Sequence, residues 1–327
     1  MFRSRWQKLC LITAVALCGG GIGAACLRLY ERRACPSSSL RRREYACVRP
    51  TGSGSANYDA LENDVRVRLA REQGQGKLAR AGIYFQRLSD GVAFGINDDA
   101  TFAPASLLKL PVAFAILLLE EQSPGTLQEK LPYTPERARD LEMMTQIEVS
   151  DAGLQRGKTY TVEALLHAVI TYSDNLSYYI LVAYMNEDPD RAAVLKRTFR
   201  ELGIKDPGSV AEDAASVREY AGLFRLLYNT SYLDAATSEK LLAWLSESTY
   251  DKGIAAGTPS GIAVANKFGE RVLPDGTREL HDCGIVYNGD EPYVLCVMTK
   301  GRDFAALREV VSDISDTIYS AVTSRAL

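Results

Sequence analysis

His281-Asp282-Cys283-Gly284-Ile285-Val286-Tyr287 and Pro292-Tyr293-Val294-Leu295-Cys296-Val297-Met298-Thr299 flank the polar tetrapeptide Asn288-Gly289-Asp290-Glu291. Two runs rich in β-branched and aromatic residues around four turn-forming residues read as a β-hairpin. If Asn288 to Glu291 form the loop, Cys283 falls opposite Cys296 on the neighbouring strand. They are read as two small buried side chains in preference to a bond. Working outward, Ile262 to Lys267 is a further strand pattern, and Phe304 to about Ser324 has the spacing of a closing helix. At the other end, Tyr58 to about Gln73 reads as a helix stopped by Gly74 and Gly76. Gly82-Ile83-Tyr84-Phe85 and Val92 to Ile96 read as strands joined at Ser89-Asp90-Gly91.

Between these ends, Ser106 to about Tyr250 is mostly helical. Expected helices are Val162–Ile170 with Thr161 as N-cap, Ser177–Met185, Val194–Leu202, Val217–Tyr228 and Ser238–Leu245. Helix, two strands, helical block, three strands and helix is an order in which both ends feed one sheet. The fold class is therefore α/β (α+β): a mainly antiparallel sheet flanked by helices, with a large helical insertion, over residues 58–327.

A composition of 46% hydrophobic and 24% charged residues is that of a globular chain. A net charge of −3 gives no electrostatic footprint for nucleic acid. Leu9 to Leu27 carries no charge and follows Arg3, Arg5 and Lys8. Residues 1–27 are read as an N-terminal membrane anchor, either a signal peptide or an uncleaved transmembrane segment. Ile22-Gly23-Ala24-Ala25-Cys26 resembles a lipoprotein box only loosely. Residues 28–57, rich in Arg, Ser and Gly, read as a flexible linker. Cys35 and Cys47 flank this stalk and are able to pair in an oxidising compartment. No CxxC pair or His/Cys cluster suggests a metal, and no cofactor motif is present.

The chemistry begins at Pro104-Ala105-Ser106-Leu107-Leu108-Lys109-Leu110-Pro111. Positions i and i+3 share a helical face, so Lys109 can reach the hydroxyl of Ser106. A serine hydroxyl needs a neighbouring base, and a lysine among Leu107, Leu108, Leu110 and Val112 can lose its proton through desolvation. Alone, the string is equally a helical serine beside a snorkelling lysine. Tyr172-Ser173-Asp174-Asn175 between two helices is alone a turn or cap. Ala265-Asn266-Lys267-Phe268-Gly269-Glu270 at the end of a strand is alone a surface lysine before a turn glycine.

Taken together and in this order, the three elements match a known motif set. Over roughly residues 57 to 327 the chain resembles class A β-lactamase-related serine hydrolases, of the β-lactamase and penicillin-binding protein superfamily. Asp282–Tyr287 and Val297–Gly301 resemble the last two strands of that fold. The resemblance implies Ser106 as nucleophile, Lys109 as its base and Ser173 as proton carrier to the leaving nitrogen. Asn175, Lys267, Gly269 and Glu270 would bind substrate, with the backbone N–H groups of Ser106 and Glu270 as oxyanion hole. Asp174 would bond the backbone around its loop. The implied substrates are β-lactams or D-Ala-D-Ala-type cell-wall peptides. The implied location is the bacterial cell envelope, with the catalytic domain extracytoplasmic.

Two departures matter. Phe268 stands where the family carries a Thr or Ser that binds the substrate carboxylate. His281, Thr277 and Arg278 are the candidate replacements, and His281 is equally a satisfied strand residue. The stretch 203–213 lacks the family's Glu-x-x-x-Asn pattern, and Glu212 is the only glutamate in it. Without a deacylating base, the acyl-enzyme would be long-lived, as in a penicillin-binding protein. The rival readings are a non-catalytic wall-binding protein, favoured by Phe268, and an esterase of small acyl esters. Retention of a penicillin label dependent on Ser106 separates the first, and chromogenic esters test the second.

Overall fold

A computed structural model describes residues 56–135, 152–205, 215–289 and 291–324. The apolar segment 9–27, the linker up to 55, Cys35, Cys47 and Glu212 lie outside the described residues. The described residues open with helix α1 (Ala56–Gly74), beginning two residues before the expected start. Strands β1 (Arg80–Arg87) and β2 (Ala93–Ile96) follow as the expected hairpin. Strands β7 (Val264–Val272), β8 (Arg278–Val286) and β9 (Tyr293–Gly301) and helix α8 (Phe304–Thr323) close the chain. The five strands form one antiparallel sheet in the order β2-β1-β9-β8-β7. Strands from before and after the helical block thus build one sheet, and β7 lies at its edge.

This sheet is buried on both faces, which is why β9 reads as a continuous apolar run. Successive side chains alternate between faces. Tyr293, Leu295 and Val297 pack with Ile83, Phe85, Leu307 and Ile314 under α1 and α8. Val294, Cys296 and Met298 pack with Tyr84, Leu107 and Leu110 under the helical block. The hairpin register is the expected one, with Cys283 opposite Cys296. The two sulfurs are bonded, which corrects the reading of two separate thiols. Cross-strand neighbours on one face of a sheet are near enough for this bond.

The helical block comprises α2 (Lys109–Gln122), α3 (Val162–Thr171), α4 (Asn175–Asn186), α5 (Pro189–Leu202), α6 (Val217–Tyr228) and α7 (Ala235–Ser246). Every residue of α2 from Lys109 to Leu119 is buried, as expected of a helix apolar on all sides. The Thr161 hydroxyl caps α3, accepting from the N–H of Ala164. Ser216 and Glu219 cap α6 reciprocally. Four short strands were not legible in the sequence: β3 (Thr101–Phe102) pairs with β6 (Ala215–Ser216), and β4 (Lys130–Pro132) with β5 (Thr159–Thr161). No helix of the described residues is long and apolar enough to cross a membrane.

Candidate active site

Ser106 lies in a 3-10 turn, Ala105–Leu108, that runs directly into α2. The expected helix start is therefore tighter than an α-turn, and Ser106 precedes α2 instead of belonging to it. Pro111 falls in the first turn of α2 and has no N–H for the Leu107 carbonyl four positions before it, which accepts from the Tyr220 hydroxyl at 2.8 Å. Ala105 immediately before the nucleophile candidate has φ +48°. Left-handed backbone at a residue with a Cβ costs on the order of 1–3 kcal/mol, and persists only where the surroundings impose it.

Lys109 is 3% exposed. Its Nζ lies 3.1 Å from Ser106 Oγ, 2.9 Å from Ser173 Oγ, 2.6 Å from the Ser173 carbonyl and 2.6 Å from Asn175 Oδ1. Burial pushes its pKa down to about 7, against the opposing pull of the Asp174 charge. A neutral amine keeps two donors and gains a lone pair. It can then donate to the Ser173 carbonyl and Asn175 Oδ1 while accepting the Ser106 hydroxyl proton.

Ser173 also has left-handed backbone, φ +56°. Asp174 follows as N-cap of α4, accepting from the N–H of Ser177 at 2.7 Å and from the Tyr133 hydroxyl at 3.1 Å. Helix α4 therefore begins at Asn175, two residues before the expected start, and the helix end itself aims Asn175 at Lys109.

Lys267 sits within β7, not at its end, because the strand continues to Val272. Its Nζ donates to Ser173 Oγ at 3.0 Å and to the Phe268 carbonyl at 3.3 Å. The residue is fully enclosed, and desolvation together with the Lys109 charge holds its pKa well below the ordinary lysine value. Behind it, Asn266 Nδ2 donates to Asp282 Oδ1 at 2.9 Å, and the N–H of Ile254 donates to Asp282 Oδ2 at 2.8 Å.

The edge position of β7 decides which backbone groups face outward. Tyr287 N–H donates to the Ala263 carbonyl, and the register runs unbroken from Val264 to Val272. In an antiparallel ladder the bonded pairs alternate, so odd-numbered residues bond β8. The Phe268 carbonyl and Glu270 N–H point off the edge. The Glu270 carboxylate is committed elsewhere, accepting from Arg308 on α8 at 2.8 Å. Gly269 lies against the Ser106 turn: a Cβ there would sit 2.9 Å from the Pro104 carbonyl oxygen and 3.2 Å from the Ser106 nitrogen. Only glycine lets β7 approach so closely.

The structure thus brings Ser106, Lys109, Ser173, Asn175 and Lys267 to one point, with Gly269 beside the turn. None of the three candidate replacements for a hydroxyl at position 268 reaches it. His281 is fully buried with Nε2 on the Ala103 carbonyl, Thr277 bonds Asp275 in the β7–β8 turn, and Arg278 donates to the Gly276 and Arg302 carbonyls. Phe268 instead stacks on Tyr250, ring centroids 3.9 Å apart, with Lys267 Nζ 4.6 Å from its own ring centroid. Sequence reasoning missed Tyr133, Tyr250, Asn266 and Asp282. The turn at Asp275-Gly276 was the available signal for the last two, since it sets the β7–β8 register. Among the described residues no group of three or more His, Cys, Asp or Glu side chains converges.

The family model described as "Beta-lactamase enzyme family" matches residues 61–322. Beta-lactamase FAR-1 of Nocardia farcinica is 28% identical over 202 residues, covering 58% of this chain and 62% of that protein. Beta-lactamase 3 of Bacillus cereus is 27% identical over 233 residues, covering 68% of this chain and 69% of that one. The chain therefore spans just under two thirds of the Nocardia protein's length. Among solved structures, a mutant of PBP-A as its acyl-enzyme complex with penicillin G superposes with a TM-score of 0.65 at 23% identity, covering 81% of this chain and 97% of that one. A class A beta-lactamase from Mycobacterium abscessus gives 0.63 at 22%, covering 80% and 99%. At those identities the structures speak for the fold. The family match reaches from the first described helix to the last, and on it the chain belongs to the beta-lactamase enzyme family.

Proposed function

We propose that this serine hydrolase opens cyclic or D-Ala-D-Ala-type amides through an acyl-enzyme on Ser106. One observation carries the reading: a single buried amine, Lys109 Nζ, lies within 3.1 Å of Ser106 Oγ and 2.9 Å of Ser173 Oγ. In the proposed reaction Ser106 Oγ attacks the carbonyl carbon and its proton passes to neutral Lys109. The Ser106 and Glu270 N–H groups hold the oxyanion, an arrangement effective because the donors are fixed before charge develops. The tetrahedral adduct collapses, the carbon–nitrogen bond breaks, and Ser173 Oγ gives its proton to the nitrogen. Ser173 regains a proton from Lys109, its neighbour at 2.9 Å. Asn175 and Lys267 orient the substrate. Hydrolysis of the acyl-serine requires an activated water, and the stretch holding Glu212 lies outside the described residues. Slow deacylation, as in a penicillin-binding protein, is the second reading, supported by the missing Glu-x-x-x-Asn pattern.

We also propose that residues 9–27 hold the chain at a membrane, with the hydrolase domain outside the cytoplasm. The uncharged run after three basic residues supports it, and so does the bond between Cys283 and Cys296. Protease protection of intact and permeabilised cells tests it.

Intact-mass measurement after penicillin exposure, followed over time, tests the reaction. Addition of one penicillin mass to the wild type and none to Ser106→Ala is the expected result. Loss of the adduct within seconds marks a β-lactamase, and persistence for hours a penicillin-binding protein. An unmodified wild type would refute the proposal.

A further inference from the structure

The strained turn that carries Ser106 needs something to hold it, and β8 supplies two buried side chains for which the reaction has no other use. Glu279 and His281 are both fully buried. They alternate with Leu280 on β8 and so project to the same face of the sheet. Glu279 Oε2 accepts from the Ala103 N–H at 2.9 Å. His281 Nε2 lies 3.0 Å from the Ala103 carbonyl oxygen, and its Nδ1 accepts from the Thr299 N–H at 3.3 Å. That second bond assigns the tautomer: Nδ1 is the acceptor, so Nε2 carries the proton and donates to Ala103. Both amide groups of one residue, three positions before the nucleophile, are thus held by side chains from the central sheet.

We propose that Glu279 and His281 are positioning residues that clamp Ala103 and thereby impose the left-handed conformation of Ala105 and the aim of Ser106. The inference rests on Ser106 being the nucleophile. Downstream of Ala105, the turn is fixed from the other side by the Tyr220 hydroxyl, which donates to the Leu107 carbonyl at 2.8 Å. Gly269 floors it. The clamp is a further anchor, on the residue after the β3–β6 pairing. Phe102 packs edge-on against the His281 ring, centroids 5.4 Å apart, which limits swinging of the imidazole. Glu279 Oε1 faces Lys300 Nζ at 3.9 Å. Glu279 Oε2 also lies 3.7 Å from His281 Nε2, so the two jaws of the clamp face each other as well as Ala103.

Glu279→Ala and His281→Leu remove one jaw each, and Glu279→Gln and His281→Gln restore the bond to Ala103. A glutamine amide nitrogen occupies the place of Nε2, whereas that of His281→Asn occupies the place of Nδ1. Pre-steady-state acylation by a chromogenic cephalosporin separates the rate constant at saturation from the dissociation constant of the preceding complex. Misplacing a reacting group by about 1 Å costs about 100-fold in rate. The expected outcome is a fall of about that size in the acylation rate constant for Glu279→Ala, His281→Leu and His281→Asn, with the dissociation constant within about twofold. Both glutamine variants should recover to within about fivefold of the wild type. A loss shared equally by all variants, or expressed in binding alone, overturns the clamp. Should Glu279→Ala fail to fold, the His281→Gln and His281→Asn pair decides by the same rates. A wild type that is never acylated at Ser106 would instead refute the hydrolase reading. The clamp is then judged by crystal structures of the variants, where Ser106 Oγ still seated against Lys109 Nζ in Glu279→Ala would sink it.

Discussion

Lys267 Nζ reaches Ser173 Oγ at 3.0 Å from the sheet side of the cleft. Lys109 already holds the same hydroxyl at 2.9 Å from the helical side. Two ammonium groups cannot share one hydroxyl in a desolvated cleft without strong repulsion, so the arrangement favours at least one neutral amine. Desolvation acts in that direction on both lysines. A base is thus available near neutral pH beside the Ser106 hydroxyl.

The acylation rate should accordingly rise as pH increases through about 7, where Lys109 loses its proton, and level off above it. Lys109→Ala should lower the plateau by about 10²–10⁴-fold, the usual range for a positioned base. Stopped-flow acylation between pH 5 and 9 measures both. A rate independent of pH across that span would assign the proton to another group.

The same depressed pKa has a stability signature. Between about 7, the value in the folded chain, and the ordinary lysine range, the unfolded chain binds the proton and the folded one does not. Stability must then rise with pH over that window. Lys109→Met should remove that upward slope, seen as a wild-type minus mutant unfolding free energy that grows from pH 7 to pH 10. Denaturant titrations at several pH values provide the curve, and parallel profiles would show that Lys109 stays charged when folded.

Asp282 gives the opposite sign. Burial raises its pKa to about 6, opposed by its bonds from Asn266 and Ile254 and by the Lys267 charge. Between the ordinary carboxylate value and about 6 the folded chain binds the extra proton, so this group's contribution falls as pH rises through that window. Asp282→Asn should flatten this part of the profile, changing the wild-type minus mutant difference by at most about 3 kcal/mol between pH 4 and 7. Thermal unfolding at those two pH values checks it.

How much of this was legible in the sequence follows from the range of each interaction. The β8–β9 register was readable because the short polar connection between the two runs fixes it locally, and the opposition of Cys283 and Cys296 followed. Helix α6 was readable to its ends because its cap, Ser216 with Glu219, is local. The start of α4 was not, since Asn175 looks like loop until the Asp174 carboxylate is seen capping the helix. The end of β7 was misjudged for a similar reason: the run Phe268-Gly269-Glu270-Arg271 lacks apolar alternation. It is strand because it pairs with Asp282 down to Glu279. The Glu279 and His281 contacts join residues more than 170 positions apart, and no local pattern encodes them.

Gly269 turns that long-range geometry into a sharp test. Its added Cβ would also lie 3.3 Å from Ala105 Cβ, and two of its three closest neighbours are backbone atoms that cannot swing away. Gly269→Ala should destabilise by about 1–3 kcal/mol, the usual range for overpacking. Because the displaced atoms belong to the Ser106 turn, acylation should fall by about 100-fold. Tm and burst kinetics on one preparation measure the pair. Lost stability with an unchanged acylation rate would show that the turn moves without disturbing Ser106.

Phe268 offers the last test, because the position reads as a hydroxyl in the resembled family while the ring here is stacked on Tyr250 at 3.9 Å. Phe268→Thr removes the stack and much of a half-buried ring, a loss of about 1–3 kcal/mol in stability. It also places a donor on the edge strand beside Lys267, where a substrate carboxylate would approach. A charge-assisted hydrogen bond contributes about 1.5–3 kcal/mol, so binding of a penicillin carboxylate should strengthen by about tenfold or more relative to its methyl ester. The ester is the control that makes the result interpretable, since it shares the acyl group and lacks the charge. Equal gains for acid and ester would mean that removing the ring only opened the cleft, and the carboxylate would then have to be held elsewhere.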